Sequence, residues 1–109
     1  MNLQESGHHR LIGIVDIGSN SIRLVVYDSL SRTPVPMFNE KAICALGLGL
    51  GASGRLNPEG VPTAILAIGR FVRLARAMDL AHLYILATAA VRDASDGPAF
   101  VNTLEIRYG

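Results

Sequence analysis

The sequence holds a single cysteine, so no internal disulfide can form and a reducing compartment is expected. That residue, Cys44, lies in the apolar run Ala42-Ile43-Cys44-Ala45-Leu46 and reads as a buried thiol rather than a nucleophile. An excess of one charge is also missing. Ten basic residues against nine acidic leave a formal charge of +1. Such a balance sets up no overall field toward a nucleic acid polymer or a membrane, so specificity has to be local. Lysine is nearly absent: Lys41 stands alone, and every other cation is an arginine. Guanidinium groups suit bidentate contact with phosphate or carboxylate oxygens.

Long apolar runs are absent as well. Asp16, Asn20 and Arg23 interrupt the first one well short of the roughly 18 residues that a membrane span requires. The opening stretch from Met1 to Arg10 is polar and lacks the apolar centre of a secretory signal, so residues 1–10 read as a flexible leader and the expected location is cytoplasmic. His8, His9 and His82 have no chelating spacing. There are no internal repeats and no low-complexity tracts. A chain of 109 residues is enough for one modest domain, burying roughly 65% of its unfolded surface.

Leu11 to Ile17 is apolar almost throughout and rich in β-branched residues, which predicts a buried strand, and Ile22 to Tyr27 predicts a second. The short Gly-Ser-Asn-Ser link between them, with Gly18 and Asn20 able to take positive φ, predicts an antiparallel hairpin. A loop from Asp28 to Pro36 then leads to a third strand, Met37 to Ala45. From Leu46 to Arg55, four glycines at intervals of two or three predict a surface segment that is neither helix nor strand.

Asn57 as N-cap with Pro58 behind it, or a start near Val61, opens an amphipathic helix. Its apolar face is Ile65, Ile68, Phe71, Val72, Ala75 and Met78, and Arg70, Arg73 and Arg76 form a solvated outer face. His82 to Ala87 predicts a fourth strand, Thr88 to Ser95 a polar connection, and Asp96-Gly97-Pro98 the start of a second helix. The order is βββαβα with a mixed sheet, and the strands before and after the first helix should run parallel through a right-handed crossover.

The chemistry concentrates in Asp16-Ile17-Gly18-Ser19-Asn20-Ser21. A turn of glycine, hydroxyl and amide residues offers unobstructed backbone N–H groups and short side-chain donors to a phosphate. Asp16 can hold a hard cation such as magnesium beside it, usually through water. The competing reading is that Asp16 and Asn20 only satisfy turn amides. Arg92 follows the fourth strand, where loops at strand carboxyl ends line the ligand crevice of open α/β sheets. Its competing role is an ion pair with Asp93 or Asp96.

Gly13-Ile14-Val15-Asp16-Ile17-Gly18-Ser19-Asn20-Ser21-Ile22-Arg23-Leu24 resembles the first phosphate motif of the exopolyphosphatase and guanosine pentaphosphate phosphohydrolase family. Leu46-Gly47-Leu48-Gly49-Leu50 with Ser53-Gly54-Arg55-Leu56, and Ala87-Thr88-Ala89-Ala90-Val91-Arg92-Asp93-Ala94, resemble later segments of the same family in the same order. The resemblance implies an α/β, actin-like ATPase (ribonuclease H-like) fold. It also implies magnesium-dependent release of terminal phosphate from polyphosphate or guanosine pentaphosphate.

By position, the same resemblance makes Asp16 the metal-associated carboxylate, Gly18, Ser19, Asn20 and Ser21 the phosphate loop, and Arg92 a phosphate contact. Ala45 and Leu48 stand where family members often carry arginine and glutamate. The family's glutamate-bearing segment, with its presumed general base, and its second phosphate loop are expected beyond Gly109. No catalytic residue is therefore assigned within the chain.

Residues 11–109 thus read as the N-terminal half of the family's first domain, incomplete and inactive alone, with an unpaired sheet edge. The oligomeric state stays open, a homodimer of the full-length protein included. A sugar or acetate kinase relative, or a non-catalytic nucleotide-binding module of the same fold, are the alternatives.

Overall fold

The computed structural model of the protein describes residues 11–29 and 36–109; the leader and the middle of the loop before the third strand lie outside them. The elements are β1 (Leu11–Ile17), β2 (Ser21–Asp28), β3 (Pro36–Ile43), a one-turn helix α1 (Leu50–Ser53), α2 (Gly60–Ala77), β4 (His82–Ala87), a short α3 (Ala89–Asp93) and α4 (Gly97–Tyr108). The sheet order is β3-β2-β1-β4. β1 and β2 pair as the expected antiparallel hairpin, β3 adds antiparallel to β2, and β4 pairs parallel to β1. β3 and β4 therefore run the same way, as expected, although β2 and β1 lie between them.

Alternation along the strands decides which face is covered. Val15, Ile17, Ile22, Leu24 and Val26 are essentially inaccessible and form one core with Ala64, Ile68, Phe71 and Val72 of α2 and Phe100 and Leu104 of α4. Gly13 belongs to the same face because an added Cβ would lie 2.5 Å from Leu80 Cδ1 and 3.0 Å from Leu83 Cδ1. The α2–β4 connection thus packs directly on β1 at that point. On the other face, Ile12, Ile14 and Val25 are half-buried, and Asp16 and Arg23 are exposed.

Several expectations change. Neither Gly18 nor Asn20 takes a positive φ. Gly18 is instead short of space, since a Cβ there would sit 3.0 Å from the Ser21 carbonyl oxygen. β3 ends at Ile43 rather than Ala45, because Ala45 turns the chain at φ 50. The glycine-rich segment does hold a helix, α1, which contains Gly51 and is flanked by Gly49 and Gly54. Gly49 (φ 79) and Gly54 (φ 72) cap its two ends in the left-handed region, and the Gly54 amide donates to the Leu50 carbonyl at 2.7 Å. Its anchors Leu46 and Leu56 are buried, so the segment lies on the surface only between them.

The stretch from Thr88 to Ser95 is not a polar connection either. It contains α3, which buries Ala90 and Val91, and Ala94 after it is buried too. The start of α2 falls between the two expected positions. The Asn57 carbonyl accepts from the Gly60 and Val61 amides, so Pro58 and Glu59 form a turn ahead of the helix. Of the three α2 arginines, Arg70 pairs with Glu40 of β3.

Cys44 is buried, as expected, and burial pushes its thiol up from the ordinary range. Among the described residues β4 stands at the sheet edge, with Tyr84, Ile85 and Leu86 exposed, and Ile85 lines a cavity of about 660 Å³ together with Ile68, Val72, Leu83, Val101 and Leu104. This matches the expected unpaired edge. No helix among the described residues is long and apolar enough to cross a membrane.

Candidate phosphate site at the carboxyl ends of β1 and β4

Because β1 and β4 are parallel, Ile17 and Ala87 are register partners, and the chain leaves both strands at one end of the sheet. β2 begins and β3 ends at that same end, where Ser21 pairs with Ile43. Four connections therefore converge on a small area. The Ile17 carbonyl accepts two hydrogen bonds from Thr88, one from its amide at 3.0 Å and one from Oγ1 at 2.8 Å. The exits of the two strands are tied together before either loop begins.

Gly18, Ser19 and Asn20 form the turn, closed by the Gly18 amide on the Ser21 carbonyl at 2.9 Å. The glycine-rich side takes up the turn's carbonyls. Asn20 O accepts from the Cys44 and Ala45 amides at 3.0 and 2.9 Å, and Ser19 O accepts from the Gly47 amide at 2.7 Å. A trans peptide points its N–H opposite its C=O. Binding of the Ser19 carbonyl by Gly47 thus turns the Asn20 N–H away from that segment. The amides of Ser19 and Asn20 have no backbone acceptor among the described residues, and both residues are exposed.

A second set of bonds continues the chain of contacts. The Asn57 amide reaches the Leu46 carbonyl at 2.9 Å and its Nδ2 reaches Ala45 O at 3.1 Å. The Ser95 amide donates to Gly54 O at 2.8 Å. Asp96 Oδ1 accepts from the Leu56 amide at 2.9 Å, while its Oδ2 lies 3.8 Å from Arg55 Nη2. The phosphate turn, the glycine-rich segment and the Thr88–Asp96 stretch thereby form one hydrogen-bonded unit. These are the three stretches on which the family resemblance rests.

The bracing roles of Asp96 and Thr88 were not legible in the sequence. Asp96 precedes a Gly-Pro helix start and reads as an N-cap, yet its side chain makes no cap bond and crosses to Leu56 instead. That crossing also disposes of one competing role for Arg92, since Asp96 faces Arg55. Arg92 is exposed on α3 and has no ion pair among the described residues. Among the described residues neither the Asp16 nor the Asn20 side chain hydrogen-bonds a turn amide, and both residues are exposed.

Asp16 is the carboxylate at the end of β1, with Arg23 opposite it on β2 and Lys41 beyond on β3. No group of three His, Cys, Asp or Glu able to hold a metal exists among the described residues. A lone exposed carboxylate fits magnesium, which keeps several waters and is usually held by one or two carboxylates together with substrate phosphates. It does not fit a closed, all-protein metal cage.

Residues 25–109 match the Ppx/GppA phosphatase family. The chain belongs to that family. The match begins after the turn, so the assignment of Asp16 to Ser21 rests on their geometry and on the resemblance of that segment.

The chain is 35% identical over 86 residues to exopolyphosphatase 1 of Mycobacterium tuberculosis, covering 78% of this chain and 25% of that protein. It is 30% identical over 93 residues to exopolyphosphatase 2 of the same species, covering 82% and 29%. It thus spans about a quarter of the curated relatives' length.

Solved structures of other proteins share its fold. A Ppx/GppA phosphatase from Aquifex aeolicus superposes with a TM-score of 0.83 at 22% identity, over 91% of this chain and 33% of that one. An exopolyphosphatase from Cytophaga hutchinsonii superposes at 0.81 and 24% identity, over 90% and 31%. The mixed sheet is the actin-like α/β fold of Ppx/GppA phosphatases.

Proposed function

We propose that the protein carrying this chain is a phosphoanhydride hydrolase that releases terminal phosphate from inorganic polyphosphate or guanosine pentaphosphate. The observation that carries the reading is the convergence of the three resembling segments into one bonded unit at the carboxyl ends of β1 and β4. Residues 11–109 form the N-terminal half of the first actin-like domain. The buried lone cysteine fits a cytoplasmic protein.

In this reading the Ser19 and Asn20 amides and the Ser19 and Ser21 hydroxyls donate to phosphate oxygens, and Arg92 offers its guanidinium to the same or a neighbouring phosphate. Asp16 would hold a magnesium ion, usually through its waters, and that ion would supply positive charge against the phosphates. These groups position and stabilise. Taking the proton from the attacking water falls to a base outside the chain, as does closing the site from the other side.

The test is an assay of phosphate release with magnesium from long-chain polyphosphate, guanosine pentaphosphate and ATP, run on the full protein and on the 109 residues alone. Release from polyphosphate or the pentaphosphate by the full protein, and none by the 109 residues, is the expected result. Transfer of phosphate to a sugar without hydrolysis would contradict the proposal.

A further inference from the structure

We infer that Gly47 is a positioning residue for the phosphate turn: the glycine-rich segment acts as a backstop that aims the turn rather than as a separate ligand contact. The inference rests on the phosphate reading of the turn. Its basis is the packing of Gly47 against Ser19. The Gly47 amide holds the Ser19 carbonyl at 2.7 Å, and a Cβ at position 47 would lie 2.9 Å from Ser19 Cβ, 3.4 Å from Ser19 O and 3.6 Å from Ser19 Cα.

Heavy atoms cannot share that 2.9 Å approach without one of them moving. Ser19 is exposed and lies in the turn, while Gly47 is held through its buried neighbour Leu46, whose carbonyl accepts from the Asn57 amide, and through its own carbonyl, which accepts from the Leu50 amide at 3.1 Å. Ser19 therefore gives way. Gly47 does not occupy the left-handed region, so backbone conformation does not demand glycine there. The demand comes from space.

Moving Ser19 rotates the peptide plane that carries both its carbonyl and the Asn20 N–H, and so turns a phosphate donor. A loop of bare glycine at this place allows close approach of two backbones, which is how a segment without charge sets the geometry of a phosphate site.

The experiment is a double-mutant cycle in the full protein, made of Gly47→Ala, Ser19→Gly and the pair. Two readouts are taken: the Ser19 and Asn20 amide resonances without ligand, and the affinity for tripolyphosphate with magnesium. Gly47→Ala is expected to move both resonances and weaken tripolyphosphate binding by on the order of 10-fold or more, as misplacement of positioning groups does. In the Ser19→Gly background, where the opposing Cβ is gone, the same change is expected to alter neither.

Equal effects in both backgrounds, or unmoved resonances in Gly47→Ala, would overturn the inference. Moved resonances in a protein that fails to bind tripolyphosphate even as wild type would overturn the phosphate reading while leaving the steric coupling intact. If Gly47→Ala does not fold, recovery of folding by added Ser19→Gly supports the contact, and failure of the pair to fold overturns it.

Discussion

Replacing Asp16 with alanine is expected to lower magnesium-dependent phosphate release by the full protein by about 10²–10³-fold, the range seen when one preorganised electrostatic group is removed from a reacting centre. The melting temperature should hardly move. Asp16 is exposed, its carboxylate makes no hydrogen bond or ion pair among the described residues, and it sits at the last outward position of β1. Surface substitutions of that kind usually stay within about 0.5 kcal/mol. Asp16→Asn keeps the shape and loses the charge, so it should fall as far as the alanine variant. The measurement is phosphate release against magnesium concentration, paired with a thermal melt. Unchanged release in either variant would show that the carboxylate at the end of β1 is not the metal-associated group.

The largest effect on stability is expected at Phe71. It is fully buried in α2, in the same core cluster as Val15, Ile17 and Leu24 of the sheet. Truncation to alanine removes its apolar burial and leaves a void that close-packed neighbours fill only in part, at a cost of about 3–5 kcal/mol. A domain whose whole stability is about 5–15 kcal/mol would lose a large share of it. Leu66 serves as the control on the same helix: it is 69% exposed, and Leu66→Ala should change stability by no more than about 0.5 kcal/mol. Denaturant midpoints of the two variants measure the contrast, and equal midpoints would mean that α2 does not present this face to the sheet.

Much of the scaffold was legible because it depends on local pattern. Apolar runs rich in β-branched residues marked β1 and β2, and the spacing from Ile65 to Ala75 marked the buried face of α2. The elements that were missed are the short ones. α3 has only five residues, too few for a helical period to show, and its buried side chains, Ala90 and Val91, include nothing large. α1 is hidden because glycine lowers helix propensity in the average, while here the left-handed glycines stand at the ends. The neighbour of β4 is β1, some seventy residues earlier, and no local signal encodes such a pairing.

The candidate site divides along the same line. Asp16, the Gly18–Ser21 loop and Arg92 are identified by side-chain type and by resemblance, and the fold brings their segments to one end of the sheet. What aims them is mostly main chain: the Ser19 and Asn20 carbonyls held by Gly47, Cys44 and Ala45, and the Ile17 carbonyl held by Thr88. Backbone donors carry no residue signature, so that bracing is visible only in three dimensions. Thr88, Asn57 and Asp96 brace the site with side chains as well, and the sequence context of Asp96 pointed to a helix start rather than to a partner forty residues back.

The central claim is that the turn after β1 and Arg92 together receive phosphate. Its most direct test is to follow amide and guanidinium resonances of residues 11–109, labelled with ¹⁵N in the full protein, as tripolyphosphate is added with magnesium. The Ser19 and Asn20 amides and the Arg92 Nε are expected to shift together and saturably, with little change for Leu66 or Ile106 on the exposed helix faces. Saturable binding that leaves Ser19, Asn20 and Arg92 unmoved would contradict it.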